Sequence, residues 1–177
     1  MPEAVIVSAA RSPIGRANKG SLKDFRADDL SATIIQAALD KIPELDPRTI
    51  NDLILGCGLP GGEMGNNMGR IVSTLMGYDE IPGTTITRYC SSSVQTTRMA
   101  FHAIKAGEGD AFISAGVETV SRFKFGTSDH IPDTKNPKFA TAQQRTEEYA
   151  KVGKDWHDPR QAVDIPDIFI AMGQTPE

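Results

Sequence analysis

The run Thr84–Tyr89 passes without a linker into Cys90, three consecutive serines, and then residues with helical spacing. Threonine, isoleucine and tyrosine suit a pleated, half-buried strand. From about Ser91 to Lys105 the spacing predicts a helix, with Ala100, Ala103 and Ile104 as a small, close-packing face and Gly107 as a natural C-cap. A strand that turns straight into a helix sends the chain back along a sheet. The next strand then lies parallel to the first, which points the region towards an α/β layered fold.

The flanking sequence repeats the alternation. Ala4–Ala10 reads as a buried strand, apolar and bounded by Arg11-Ser12-Pro13-Ile14-Gly15. Asp28 or Asp29 is placed to cap a helix carrying Leu30, Ile34, Ala37, Ala38 and Ile42, which Pro43 and Pro47 stop. Leu53–Cys57 reads as a second strand, and a glycine-rich loop over 58–65 leads to a short helix near Asn67–Met76. Thr84–Tyr89 is the third strand and Ala111–Gly116 the fourth. The expected class is α/β, a mostly parallel sheet with helices on both faces. Past Ser121 the composition changes. Phe123–Pro137 is polar and broken by glycine and proline, so it reads as loop. Ala140–Lys151 reads as a helix with Gln, Arg and Glu on its exposed side, and Trp156–Arg160 and Val163–Ile170 have no clear period.

Bulk properties narrow the function classes. A chain of 177 residues has room for a sizeable core. A net charge of −4 argues against a general nucleic-acid binder. The apolar opening around Val5 to Ala10 is too short to span a membrane and lacks the basic flank of a signal peptide. Cys57 and Cys90 make no disulfide framework, so a reducing cytoplasm is the expected setting.

Cys90 carries the chemistry. Small hydroxyl residues after it let the backbone turn sharply and cap the following helix, whose N-terminal field favours an anion and hence a thiolate. A nucleophile at a strand-to-helix elbow is a recurring enzyme device. The competing reading is a buried structural cysteine at a strand end. Other residues offer less. Cys57 between glycines reads as a small core residue. Gly61 and Gly62 lack a following Lys-Ser/Thr and make no phosphate loop. His102 sits within the Cys90 helix with no Cys or His at ligand spacing, and His130 and His157 lie in loops, so no metal site is expected.

Several blocks together resemble thiolases. These are Ala4–Gly15 with Gly20-Ser21-Leu22, then Asp52–Gly56 with Gly65-Asn66-Asn67-Met68-Gly69-Arg70. Cys90-Ser91-Ser92-Ser93-Val94-Gln95 and Asp110–Ser121 follow in the same order. They cover most of residues 4–121, and the nearest resemblance is to the group of 3-ketoacyl-CoA thiolases and acetyl-CoA acetyltransferases. The resemblance implies a thiolase N-terminal half-domain over 1–121 and part of an inserted loop domain over 122–177. It implies that Cys90 accepts an acyl group during thiolytic cleavage of a 3-ketoacyl-CoA, or in the reverse condensation of acyl-CoA units. CoA and acyl-CoA thioesters are then substrates, with no metal or redox cofactor, and a homo-oligomer, a dimer or tetramer, is expected. The third strand of this half commonly lies at the dimer contact.

Met172-Gly173-Gln174-Thr175 matches a segment in which the methionine lines the acyl pocket, so Met172 is a candidate substrate-binding residue. Short-chain thiolases carry a histidine before that Met-Gly. Here Ala171 stands there, which favours a β-oxidation-type substrate. Thr87 replaces a frequent asparagine, and Ser93 adds a side chain where glycine is usual. The match stops at Glu177, before the family's Gly-His-Pro histidine, its Cys-x-Gly cysteine and its Asn-Glu motif. The expectation is a truncated form without cleavage activity that self-associates to cover exposed apolar surface. Two rival readings remain at this point. One is a related condensing enzyme that uses a decarboxylating donor. The other is a non-catalytic remnant that oligomerises or binds CoA thioesters.

Overall fold

The computed structural model describes residues 2–132, 134–152, 157–168, 170 and 172. They form two compact units, Met1–Gly126 and Thr127–Glu177.

The first unit is built on β1 (Asp52–Gly56), whose Leu53, Ile54 and Leu55 are all buried. Burial of consecutive residues means that both faces of the strand are covered. Leu53, Leu55 and Cys57 join Ile35 and Leu39 of α1 (Ala27–Leu39) and Met68 and Val72 of α2 (Met68–Leu75) in one apolar cluster. Each fully buried leucine there contributes roughly 2 kcal/mol of transfer free energy. Gly56 alternates to the other face, under α3 (Ser92–Ala106). β1 pairs in parallel with β2 (Gly83–Ile86) on one side and β3 (Phe112–Gly116) on the other, giving the order β2-β1-β3. The α/β class and the parallel sheet expected from the junction at Cys90 are therefore present.

Ala4–Ala10 departs from expectation. It belongs to none of the strands among the described residues, and Val5, Ile6 and Val7 are 68, 82 and 70 % exposed. An apolar run needs both faces covered to behave as a core strand, and this one does not have them covered. The segment is tied instead to the C-terminal ends of two helices. Ser8 Oγ donates to the Ala38 carbonyl, while Lys41 Nζ and Lys105 Nζ donate to the Ala9 and Pro2 carbonyls.

α1 also starts differently. Arg26 occupies the N-cap without a side-chain cap, and Asp28 and Asp29 fall in the first turn. The Ala27 N–H is met from a distance, by Glu63 Oε1 at 3.0 Å. Its buried stripe is Ala27, Ser31, Ile35 and Leu39, one turn apart each, while Leu30, Ile34 and Ala38 are half-buried and Ala37 is exposed. Asp28 Oδ1 accepts the next amide, the Asp29 N–H at 3.0 Å, so a distant and a local carboxylate share the free amides at the helix start. α2 lies directly on β2: a Cβ at Gly69 would be 2.4 Å from the Thr84 carbonyl oxygen.

In the second unit α4 (Ala140–Val152) matches the expected helix. Gln143 and Gln144 donate to Glu147 and Glu148 one turn on. Arg145 donates to Asp164, Asp167 and the Ile165 carbonyl, fastening an irregular segment along α4. Ala171, Gly173–Glu177 and Trp156 lie outside the described residues.

Candidate nucleophile site

β2 ends at Ile86, and four residues later the chain is already turning into α3. Tyr89 makes the turn with φ of +46°, a left-handed conformation that bulky residues rarely adopt. The residue is 75 % exposed, so burial does not hold it there. The serines do. Ser92, 4 % exposed, accepts the Arg88 N–H at 2.8 Å and donates to the Tyr89 carbonyl at 2.7 Å. The Ser91 hydroxyl donates to the Arg88 carbonyl at 2.8 Å. These hydroxyls close the turn and do not cap the helix, because Ser91 at the N-cap makes no side-chain cap bond. The expected capping role is therefore replaced by a turn-locking one. Short polar side chains bond neighbouring backbone groups readily, and here those groups lie upstream.

Cys90 is exposed at the outside of this turn, immediately before the N-terminus of α3. The Ser91 and Ser92 N–H groups are spent on the Arg88 and Tyr89 carbonyls, at 3.1 and 3.0 Å. A parallel bridge pairs Arg88 with Cys90 across the turn. An accessible thiol at a helix N-terminus suits attack on a carbonyl and stabilisation of the oxyanion that forms.

Ser93 finds room because Gly116 lies opposite. A Cβ on Gly116 would sit 1.9 Å from Ser93 Oγ, and one on Gly56 would sit 2.8 Å from the Ser92 carbonyl carbon. Two glycines at the ends of β1 and β3 thus let the start of α3 rest on the sheet.

Cys57 behaves as the sequence predicts. It is buried, with Sγ 3.8 Å from Met64 Sδ and from Glu118 Oε1. Burial, and next the charge of Glu118, push its thiol up to about 11, so it stays protonated and unreactive at neutral pH. His102 is exposed on α3 with its ring against Phe101. His130 and His157 are exposed too, and no group of three or more metal-ligating side chains occurs among the described residues.

Sequence reasoning overlooked Glu118. Its carboxylate accepts the Gly58 and Leu59 N–H groups at 2.7 and 3.2 Å. The signal was topological: only the parallel register Gly56↔Gly116 brings residues just past β1 and β3 side by side. A cleft of about 240 Å³ opens beside Glu118, between the 12–17 segment and Thr119–Ser121, and Cys90 does not line it. Met172 belongs to the second unit and is 72 % exposed, so the two expected site residues fall in separate units.

Comparison with known proteins follows the same residues. The profile of the thiolase N-terminal domain matches residues 4–152. A 3-ketoacyl-CoA thiolase of Bacillus subtilis is 38 % identical over 154 residues, covering 86 % of this chain and 38 % of that protein. A 3-oxoadipyl-CoA/3-oxo-5,6-dehydrosuberyl-CoA thiolase of Escherichia coli is 44 % identical over 126 residues, 71 % of this chain and 31 % of that one. The crystal structure of the Bacillus anthracis acetyl-CoA acetyltransferase superposes with a TM-score of 0.65 at 30 % identity, covering 74 % of this chain and 33 % of that chain. The chain spans roughly a third of the length of these relatives. No described helix is long and apolar enough to cross a membrane.

Proposed function

The chain belongs to the thiolase family, and on that premise we propose that Cys90 is the acyl-accepting nucleophile of an acyl-CoA C-acyltransferase. The observation that carries the reading is the exposed Cys90 thiol at a strained, serine-locked elbow directly before α3. The substrates named for the B. subtilis and E. coli relatives share a ketone at position 3 of a CoA thioester. For this chain we take the same class, with CoA and acyl-CoA as substrates and not as resident cofactors. The Cys90 thiolate adds to the 3-keto carbon, and the Cys90 N–H donates to the oxyanion. Collapse breaks the bond between C2 and C3. Acetyl-CoA departs as its α-carbon takes up a proton, and the shortened acyl group stays on Cys90 as a thioester. The thiol of a second CoA then receives that acyl group, which restores Cys90. The reverse sequence joins two acyl-CoA units.

Residues 1–121 are read as the half-domain that holds the nucleophile, with 122 onward as the start of an inserted loop domain. Met172 is read as an acyl-pocket residue. The two unpaired thiols favour a reducing compartment, the cytoplasm. The open sheet edges and the exposed Val5–Val7 favour a homo-oligomer.

The test is incubation with acetyl-CoA and with short- and medium-chain 3-ketoacyl-CoA, followed by intact mass and peptide mapping. An acyl adduct on Cys90, absent in Cys90→Ala, is the expected result. An unmodified Cys90 that nevertheless alkylates normally with iodoacetamide would favour a non-catalytic remnant.

A further inference from the structure

We propose that Glu118 is a positioning residue for the nucleophile, acting through the Gly58–Leu59 backbone on the peptide that joins Tyr89 to Cys90. The inference rests on Cys90 being the acyl acceptor.

The chain of contacts is short. Glu118 Oε2 accepts the N–H of buried Gly58 at 2.7 Å, and Oε1 accepts that of Leu59 at 3.2 Å. A buried amide needs an acceptor, and a charged one binding two successive amides fixes the loop more firmly than a neutral one. Gly58 is in turn pressed against the nucleophile turn. A Cβ at Gly58 would be 3.2 Å from the Tyr89 carbonyl oxygen and 3.3 Å from its carbon. The Gly58 carbonyl also accepts from Thr87 Oγ1 at 3.1 Å, which binds the loop to the strand end that leads into the turn.

The Tyr89 carbonyl and the Cys90 N–H belong to one planar peptide unit. Whatever fixes the direction of the first fixes that of the second. Ser92 holds this unit from the helix side, with its N–H and hydroxyl both on the Tyr89 carbonyl. Gly58, anchored by Glu118, backs it from the sheet side. A left-handed, exposed Tyr89 persists only while its surroundings over-determine it, and these two contacts are the surroundings. Glu118 therefore aims the Cys90 amide at the oxyanion without touching substrate.

A carboxylate accepts at both oxygens, whereas glutamine presents an NH₂ where one amide needs an acceptor. Glu118→Gln is thus close in shape and wrong in polarity, and Glu118→Asp keeps both acceptors on a shorter arm. Misaiming one oxyanion donor should slow acetyl transfer from acetyl-CoA to Cys90 about tenfold in Glu118→Gln, with partial recovery in Glu118→Asp. Iodoacetamide alkylation of Cys90 has no oxyanion to stabilise and should stay within about twofold. Amide hydrogen exchange supplies a readout free of chemistry. In Glu118→Gln it should quicken both over 57–61 and over 87–92. Equal acetyl transfer in wild type and Glu118→Gln would overturn the proposal, as would faster exchange confined to 57–61. If the wild type takes no acyl group at all, the reading of Cys90 fails, while the exchange over 87–92 still decides whether Glu118 holds the turn.

Discussion

At the scale of single residues, the two cysteines show how position decides chemistry. Cys57 and Cys90 share a thiol, yet one is sealed beneath a carboxylate and the other stands at a helix N-terminus. Burial and the Glu118 charge hold the Cys57 proton to about pH 11 in the folded chain. In the unfolded chain a thiol releases its proton near about 8.5. Between those values the unfolded state binds fewer protons, so stability falls as pH rises through the window. Urea melts of wild type and Cys57→Ala from pH 8 to pH 11 should therefore converge, and a constant gap across that range would contradict the assignment. Glu63 makes the opposite case. Arg122 at 2.7 Å on each carboxylate oxygen, and then the Ala27 N–H, hold Glu63 below the usual carboxylate range. Its contribution is present above about 4.3, the unfolded value, and is lost as pH falls through the lower folded value. Glu63→Gln should cost roughly 1–2 kcal/mol at pH 7, and the difference should shrink below pH 4. Equal melting of the two proteins at pH 7 would remove Glu63 from the account of how α1 starts.

Elements meet through bare backbone as much as through side chains. α2 touches β2 where Gly69 faces the Thr84 peptide, and a Cβ added at Gly83 would lie 2.4 Å from the Arg70 nitrogen and the Gly69 carbonyl carbon. Any side chain there must push apart two backbones that cannot yield like the tip of a long side chain. Gly69→Ala should lower stability by about 2–3 kcal/mol. Gly77, with φ of +81° and nothing within 4 Å of an added Cβ, isolates the conformational cost alone. Gly77→Ala should cost only about 1 kcal/mol. Thermal melting of the pair tests this, and equal shifts would mean that the α2–β2 contact is looser than the distances indicate. The same logic explains α3. Ser92, Thr96 and Ala100 form its buried stripe, and Gly56 and Gly116 beneath its first turn let Cys90 emerge at the height of the strand ends.

Over the whole molecule the notable surface is apolar. β2 and β3 are the outer strands of the sheet, and Val5, Ile6 and Val7 are largely exposed beside Val94 at 71 % and Phe101 at 45 % elsewhere on the first unit. Unpaired strand edges and exposed branched side chains favour pairing with another surface. Sedimentation coefficients should rise with concentration, and Ile6→Lys should weaken that rise. A concentration-independent monomer would show that these residues stay in water without a partner.

Sequence by itself determined the α/β class, the extents of α3 and α4, the core role of Cys57 and the placing of Cys90 at an elbow. Each of these rests on local patterns: helical spacing, β-branched runs, glycine at a C-cap. It also carried the resemblance that the N-terminal domain match bears out. Only the tertiary structure decided that Ala4–Ala10 stays out of the ladder and is tied to the ends of α1 and α3, because a local apolar pattern does not say which surface a segment will meet. It likewise decided that Glu63 reaches the first amide of α1, that the serines lock the turn, and that Glu118 reaches the loop after β1. Those outcomes depend on which distant segments share an edge or a face. Spacing along the chain carries no record of that choice, and parallel pairing makes it over some sixty residues at a time.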